Sequence, residues 1–208
     1  MFAGLRREEI LGLKWDSVFL DEEKPYIWVR RAWRCYHGEV VVNEELKTKA
    51  SNRKIPIPGC LAEHLRKQKE KSQSEFVISD RQGNCLNDTQ YYRMWNYIKV
   101  RTAGERKIYK WVNGQKIVKT LNIGLGDHCV NRPDLICTLD FAVSPHQLRY
   151  TYITNLINKN VDPKTVQYLA GHKNSKMTMD VYARVKYNKP EDLAPIVKKA
   201  LQPSKKKR

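Results

Sequence analysis

Four polar side chains in the last third of the sequence are of types that could act on a phosphate. They are His146, Arg149, His172 and Tyr182. A guanidinium fork matches the non-bridging oxygens of a phosphodiester, and a phenol beside a base and positive charge can serve as a nucleophile. Their spacing therefore predicts a site for phosphoryl chemistry if the intervening segments bring them together.

The first segment that must position them is a helix beginning near residue 144. Ser144 is a good N-cap and Pro145 a good first helical residue. His146 and Arg149 would then lie one turn apart on one face of this helix. Both side chains could reach the same ligand.

Two further helices would bring the remaining groups back to that ligand. Asp162 and Pro163 are typical of a helix start, and Gly171 is the expected left-handed stop after its end. This stop determines where His172 points. A third short helix, from about residue 176, would return Tyr182 to the same place.

The charge of the chain favours a polyanionic partner. The 208 residues have a formal net charge of +17, an excess that costs self-repulsion and is typical of nucleic-acid binding, with an anionic membrane second. A span needs about 20 apolar residues, and the sequence has neither such a run nor a signal-peptide pattern. We expect no membrane association and a cytoplasmic, nucleoid-associated location.

The cysteines indicate a reducing compartment. They are odd in number and widely spaced, without a C-x-x-C pair: Cys35, Cys60, Cys85, Cys129 and Cys137. His128 with Cys129 and Cys137 would give three zinc ligands, but a fourth at suitable spacing is missing. We therefore expect ordinary loop and core residues there, and no metal or other cofactor.

The amino-terminal half predicts a small sheet among helices. Residues 4–15 fit a short amphipathic helix, and three runs rich in β-branched and aromatic residues, 25–33, 38–46 and 54–57, predict a three-stranded antiparallel sheet. A basic loop precedes the third strand, with Lys47, Lys49, Arg53 and Lys54. Such a loop is either a solvated hairpin tip or a tip that reaches a DNA groove or phosphate site.

The middle of the chain predicts two helices and an inserted hairpin. Helices are expected over residues 60–71 and from Asn87 or Asp88 to Val100, with a short strand at 76–79. Residues 104–136 differ in character, because two β-prone basic runs flank the turn dipeptide Asn113-Gly114. We interpret this region as an exposed hairpin with an irregular piece after it.

The carboxyl end predicts a separate amphipathic helix. Residues 188–208 contain an apolar stripe of Leu193, Ile196, Val197, Ala200 and Leu201, followed by a basic tail. This stripe must be buried in its own domain or in the groove of a neighbouring molecule. Residues 1–187 are interpreted as one domain that includes the insertion.

Each candidate residue has an ordinary structural explanation when taken alone. Tyr182 is one of eleven tyrosines, and four others lie nearby, Tyr150, Tyr152, Tyr168 and Tyr187. A lone histidine at a helix end, or a lone arginine such as Arg6, is most often a surface residue. The functional interpretation rests on their joint occurrence.

Three segments together resemble a known family. They are GLRREEILGLKW at residues 4–15, HQLR at 146–149 and LAGHKNSKMTMDVYARV at 169–185. Their order and the interval from His172 to Tyr182 resemble the catalytic domain of tyrosine recombinases, the phage-integrase and Xer-like enzymes. This resemblance implies a mainly α fold with a small three-stranded antiparallel sheet, an α+β class, to which the hairpin is an addition.

The resemblance implies roles for individual residues. Arg6 and Arg149 would bind the scissile phosphate of DNA. Tyr182 would attack it to form a 3′-phosphotyrosyl link and a free 5′-hydroxyl, assisted by His146 and His172 through acid-base work and hydrogen bonding. Either histidine could accept the proton of the Tyr182 hydroxyl, and the sequence does not decide between them.

The resemblance also implies supporting residues. Glu9 would brace the fold beside Arg6, and Lys47 would protonate the leaving oxygen, with Lys49 as its rival. Further DNA contacts are expected from Lys49, Arg53, Lys54 and Lys173. The phosphotyrosyl link conserves the energy of the phosphodiester, so rejoining requires neither ATP nor a metal.

The resemblance further implies how the enzyme would act and assemble. It favours a phage or mobile-element integrase acting on double-stranded DNA as a homo-oligomer, a tetrameric synapse, or a monomer in isolation. The terminal helix resembles the segment such enzymes pass to the next protomer.

The sequence departs from the family pattern at its start, and we expect it to lack the helices and the DNA-binding domain that usually precede the first arginine. A DNA-binding remnant without turnover is therefore a second hypothesis. An RNA-binding protein with an incidental set of such residues is a third.

Overall fold

A computed structural model describes residues 2–37, 39–44, 46, 48–130, 132–186 and 190–200 of the chain. At positions 49, 192, 196, 199 and 200 it describes the backbone but not the side chain. The chain divides into two compact units: residues 1–36, 40–85 and 145–208 form the first, and residues 37–39 and 86–144 the second.

The first unit contains a three-stranded antiparallel sheet in the order β1-β2-β5. Its strands are β1 (Val18–Phe19), β2 (Tyr26–Val29) and β5 (Arg53–Pro56). Burial alternates along β2 and β5 because successive side chains point to opposite faces. The buried face, which includes Ile27 and Ile55, belongs to the main apolar core of the unit.

The predicted three-stranded sheet is present, but its strand assignment was wrong. The run at 25–33 divides into β2 and β3 (Ala32–Tyr36), and β3 pairs with β4 (Glu39–Asn43) as a separate two-stranded sheet. The break occurs where Arg31, only 9% exposed, forms an ion pair with Asp16 at 2.5 Å. The two sheets therefore separate at an ionic contact, which apolar periodicity does not encode.

The two predicted helices of this half differ in how well they match. The helix α1 (Arg7–Leu11) is shorter than the expected 4–15, and a 3₁₀ turn, Trp15–Ser17, follows it. The helix α2 (Gly59–Lys71) is confirmed. The segment at 76–79 is not a continuous strand, because Phe76 and Ser79 form only isolated bridges with Lys14 and Cys85.

The carboxyl-terminal helices of the first unit agree with the predicted order. They are α4 (Pro145–Asn158), α5 (Pro163–Ala170), α6 (Ser175–Lys186) and α7 (Pro190–Ala200). Helices α4 to α6 bury a second apolar cluster around Ile157 and Val166, both fully buried. The basic tail lies outside the described residues, and exchange of α7 between protomers stays a prediction.

The second unit contains the predicted hairpin and one helix. The helix is α3 (Asp88–Lys99), with Asn87 as its N-cap, and the hairpin strands are β6 (Gly104–Val112) and β7 (Gln115–Ile123). A short pair, β8 (His128–Cys129) and β9 (Arg132–Ile136), completes the unit. Buried Ile123, Cys129 and Cys137 form its small core.

No described helix is long and apolar enough to cross a membrane. Among the described residues no group of three or more His, Cys, Asp or Glu side chains could hold a metal ion.

Candidate active site

Three guanidinium groups meet at the carboxyl end of α5. Each donates a hydrogen bond to a different one of three consecutive backbone carbonyls: Arg53 Nε to Leu169 at 2.9 Å, Arg149 to Ala170, and Arg6 Nη2 to Gly171 at 2.6 Å. The last carbonyls of a helix have no intrahelical partner and hold its negative partial charge, which favours cations there. The end of α5 thus joins arginines from three distant segments of the chain.

One buried carboxylate holds two of these arginines. Arg53 binds Glu9 bidentately, with both Nη–Oε distances 2.9 Å, and Arg6 donates to Glu9 from Nη1 and from its backbone amide, both at 2.8 Å. Burial raises the pKa of Glu9, but the hydrogen bonds and charges of Arg53 and Arg6 outweigh burial and lower it. Glu9 therefore remains ionised and fixes the Arg6 side chain.

The exposures of these arginines assign them different roles. The Arg53 side chain has 0% exposure, whereas that of Arg6 is 33% exposed. The prediction that Arg53 contacts DNA from an exposed tip is therefore wrong for this structure, because its guanidinium lies inside the fold against Glu9. Arg6 remains accessible to a ligand.

Arg149 is oriented by the amino-terminal segment. Its Nη1 donates to the carbonyl of Gly4, which lies at φ +58°, while a Cβ on Gly4 would overlap Cδ1 of Tyr152. Glycine is therefore required by both its backbone conformation and the close approach of the Tyr152 ring. Burial and then the charge of Arg6 lower the pKa of Arg149 from 12.5 to about 10.

The predicted stop at Gly171 is confirmed, and it makes room for Arg53. Gly171 has φ +61° and ψ +40°, the left-handed conformation, and its amide donates to the carbonyl of Tyr168 at 2.9 Å. A Cβ at this position would lie 2.6 Å from Nη1 of Arg53. The helix end and the buried arginine therefore require the same residue type.

His172 follows this stop and is held neutral at physiological pH. It is 5% exposed, and its Nδ1 lies 2.9 Å from Oγ1 of Thr178, itself 1% exposed. Burial, followed by the positive charges of the three arginines, lowers the pKa of His172 from 6.5 to about 4. An uncharged imidazole can accept or donate a proton in hydrogen bonding at pH 7.

Tyr182 lies on α6, one turn after Thr178 and on the same face. Both residues are buried, Tyr182 to 8% exposure, and the Tyr182 ring packs in the cluster of Ile153, Ile157, Val166 and Ala170. Its hydroxyl oxygen is also buried. The structure thus brings Tyr182 into the core beside α5, with the hydroxyl shielded from solvent.

The other predicted site residues are distributed around this centre. His146 is exposed on the first turn of α4, one turn before Arg149. Lys173 is exposed, and the Lys54 ammonium lies 5.1 Å from the ring centroid of Tyr26. Lys47 lies outside the described residues. Lys49 begins a 3₁₀ turn, Lys49–Ser51, with its side chain outside the description.

Sequence reasoning named Glu9 but missed the other buried residues that support this site. Arg53 could have been placed inward, because Ile55 and Ile57 are buried and alternation along the strand puts Arg53 on their face. Gly4 and Thr178 had no comparable signal. Their roles depend on contacts with Tyr152 and His172, which only the folded chain creates.

Comparisons with known proteins identify what this chain is similar to. The phage integrase family matches residues 115–189. A XerC-like tyrosine recombinase of Caldanaerobacter subterraneus is 28% identical over 195 residues, covering 88% of this chain and 43% of that protein. The transposase of Tn916 from Enterococcus faecalis is 41% identical over 46 residues, 22% of this chain and 11% of that protein.

Solved structures show the same fold. The Tn1549 transposon integrase in complex with transposon right end DNA has a TM-score of 0.64 at 19% identity, over 95% of this chain and 55% of that one. XerA recombinase has a TM-score of 0.56 at 14% identity, over 97% of this chain and 55% of that one. The chain thus spans about half the length of these relatives.

The fold and the matches point to the same class of proteins. The chain has the α+β catalytic-domain fold of DNA recombinases. Its motifs and matches are similar to those of the tyrosine recombinases, so the resemblance seen in the sequence is confirmed.

Proposed function

We propose that this chain is the catalytic part of a site-specific DNA recombinase that cuts and rejoins strands through a 3′-phosphotyrosyl link, and that it serves as the integrase of a phage or integrative mobile element. The observation that supports this most is the convergence of Arg6, Arg149 and His172 at the end of α5, with Tyr182 on the next helix. The similarity to Tn916 transposase and Tn1549 integrase supports the mobile-element role.

In this proposal Arg6 and Arg149 bind the non-bridging oxygens of the scissile phosphate. A guanidinium has five N–H donors, and the bonds to Glu9 and Gly171 hold Arg6 without using all of them. The two cations stabilise the charge that develops on the phosphorane as the attacking oxygen approaches. Their positions are fixed before substrate binds, so little reorganisation is required.

Tyr182 is the proposed nucleophile. Its oxygen attacks phosphorus while its proton passes to the histidine that serves as base, His146 or His172. The bond to the 5′-oxygen breaks, and that oxygen takes a proton from the lysine assigned as general acid, Lys47 or Lys49. Since the hydroxyl is buried in this structure, attack requires a shift of α6 that exposes it. Because Nδ1 of His172 is engaged by Thr178, we assign Nε2 to the phosphate, and His146 to assistance from α4.

Rejoining is the reverse of this step. A 5′-hydroxyl attacks the phosphotyrosyl link, the bond from phosphorus to the Tyr182 oxygen breaks, and no nucleotide or metal is consumed. Double-stranded DNA is the proposed partner, with Lys54 and Lys173 as surface contacts, and strand exchange would take place in a homo-oligomer on DNA.

The test is covalent trapping. The protein is incubated in EDTA with a library of nicked duplexes of randomised sequence, then denatured, and adducts are resolved on a gel and sequenced. The proposal predicts an adduct with the native protein and none with Tyr182→Phe. Adduct that survives in Tyr182→Phe would refute the assignment and redirect it to Tyr187.

A second variant tests the phosphate clamp. Arg149→Lys keeps the charge but loses the bidentate fork. Loss of one charge-assisted hydrogen bond in the transition state should lower the cleavage rate by at least about a hundredfold. Near-normal cleavage would refute this role. DNA binding without adduct in the native protein would favour the DNA-binding remnant instead.

A further inference from the structure

The hairpin of β6 and β7 is the most exposed element of the second unit. Each strand has nine residues, so the ribbon extends about 30 Å. Every residue from 109 to 120 is exposed, including Tyr109 at 54% and Trp111 at 68%. Contiguous exposed apolar surface of this kind indicates an interaction surface.

The base of the hairpin is fixed to its own unit. Nη2 of Arg106 donates to the carbonyls of Val100 at 2.6 Å and Thr102 at 2.8 Å. Ile123, at the end of β7, is buried with Cys129 and Cys137. The ribbon therefore extends from an ordered base, which limits the entropy lost when its outer part binds a partner.

Both faces of the outer ribbon combine lysine with apolar side chains. The strand register places Tyr109, Trp111, Val118, Lys107 and Lys116 on one face, and Ile108, Val112, Ile117, Lys110 and Lys119 on the other. The Lys116 ammonium lies 4.2 Å from the ring centroid of Tyr109. From Arg106 to Gly126 the sequence contains no carboxylate.

This charge pattern favours DNA over a protein partner. A second copy of this chain, with its net charge of +17, would have to bury unpaired lysines on whichever face it covered, at a high desolvation cost. A DNA groove has phosphates on both walls, so cations on both faces of a ribbon find partners. The major groove is wide enough to admit a two-stranded β-ribbon, and thymine methyl groups accept apolar contacts.

We propose that the β6–β7 hairpin is a DNA-binding ribbon that enters the major groove of a duplex, with its lysines on phosphates and Trp111 against base edges or sugars. The inference deepens the proposed function, since duplex DNA is the partner which that function requires. It assigns a second DNA contact made by residues that take no part in the proposed chemistry.

The test measures binding of the full chain to a fluorescent duplex of random sequence between ~50 and ~200 mM salt. The variant Lys110→Gln with Lys119→Gln leaves the Lys116–Tyr109 contact intact. It should lower the slope of log K against log salt by about 1.8, because each lost phosphate contact removes about 0.9. Trp111→Ala should weaken binding several-fold with the slope unchanged.

The matched control is Lys67→Gln with Lys69→Gln, two exposed lysines of α2. An equal loss of slope in this control would overturn the proposal, since binding would then depend on diffuse charge alone. The proposal would also be overturned if Trp111→Ala abolished self-association in sedimentation without changing DNA affinity, which would identify a second copy as the partner.

The covalent trapping assay separates this inference from the proposed function. A normal adduct yield with an unchanged salt slope in the hairpin variant would refute the ribbon alone. An absent adduct with the expected change of slope would refute turnover and leave the ribbon supported.

Discussion

At the scale of single residues, the site depends on burying charge in matched pairs. Glu9 and Arg53 are almost completely inaccessible, and each makes several hydrogen bonds. A buried ion pair contributes little net stability relative to an apolar pair, but removing one partner leaves the other charge unpaired. Arg53 is therefore a positioning residue for Glu9 and, through it, for Arg6 of the proposed phosphate clamp.

Arg53→Met should lower the free energy of unfolding by about 3 kcal/mol, the lower end of the cost of breaking a buried ion pair, because Glu9 loses its bidentate partner but keeps its bonds from Arg6. Urea denaturation measures this loss of stability. The loss should be smaller in a Glu9→Gln background, because position 9 then has no carboxylate that could lose its partner. Arg132→Gln is the matched control, since the pair of Arg132 with Asp134 is exposed and should have little effect. Equal losses in both backgrounds would contradict the coupling of Arg53 to Glu9.

His172 predicts a dependence of stability on pH. Its pKa is about 4 in the folded chain, lowered from the ordinary value of 6.5 that the unfolded chain retains. Between these values the unfolded chain binds a proton that the folded chain does not, so stability falls as pH falls from 6.5 towards 4 and is unaffected above 6.5. The full effect is on the order of 3 kcal/mol.

The measurement is urea denaturation at several pH values across this window. His172→Gln should remove most of the decline between pH 6.5 and 4.5, while His64→Gln, at an exposed position of α2, should keep it. Glu9 adds its own loss of stability at lower pH, as its lowered pKa is approached. An unchanged decline in His172→Gln would show that other groups cause it.

At the scale of elements, α5 aligns the site because its end is defined by local chemistry. Asp162 caps the helix by accepting from the amides of Lys164 and Thr165, both at 3.0 Å, and Gly171 ends it. The carboxyl end of this eight-residue helix, together with Gly171, presents three carbonyls to three arginines. A displaced helix end would move His172 and the supports of Arg6 and Arg149 together.

Gly171→Ala should therefore destabilise the chain by more than the 1 kcal/mol or so typical of a left-handed position, because its Cβ would also meet Arg53. The melting temperature and the yield of the covalent adduct should both fall. The matched control is Gly59→Ala at the start of α2, where a Cβ meets nothing within 4 Å. Comparable losses in both variants would argue against the clash.

Elements with local signals were predictable, whereas pairings between distant segments were not. Asn87, Asp162 and Gly171 are caps that the sequence states directly, and the Asn113-Gly114 turn predicted the hairpin of β6 and β7. The division of β2 from β3 falls at Arg31, whose ion pair joins it to Asp16, 15 positions earlier. Short-range patterns contain no information on such contacts.

At the scale of the whole molecule, the site exists only in the folded chain. The hydrogen bond from Arg6 to Gly171 joins residues 165 positions apart, and that from Arg149 to Gly4 joins residues 145 apart. The sequence motifs identified Arg6, Arg149, His172 and Tyr182 as candidates. The buried arrangement of Arg53, and the buried Tyr182 hydroxyl, depend on the assembled core and had no sequence signal beyond strand alternation.

A folded-state site with excess positive charge predicts stabilisation by anions. Three guanidinium groups face one carboxylate, Glu9, so a phosphate ion should bind the folded chain and not the unfolded one. At a phosphate concentration of about ten times the dissociation constant, binding should raise the free energy of unfolding by about 1.4 kcal/mol. Unfolding in phosphate, compared with chloride at equal ionic strength, measures this.

Two other effects of phosphate must be separated from site binding. Screening of the +17 net charge is cancelled by matching ionic strength, but exclusion of phosphate from the protein surface also stabilises folded chains. Arg6→Gln distinguishes them, because it removes an accessible guanidinium of the clamp and leaves the rest of the surface unchanged. The stabilisation should be lost in Arg6→Gln and retained in Lys67→Gln, and equal stabilisation in both would assign the effect to surface exclusion and contradict a phosphate site at α5.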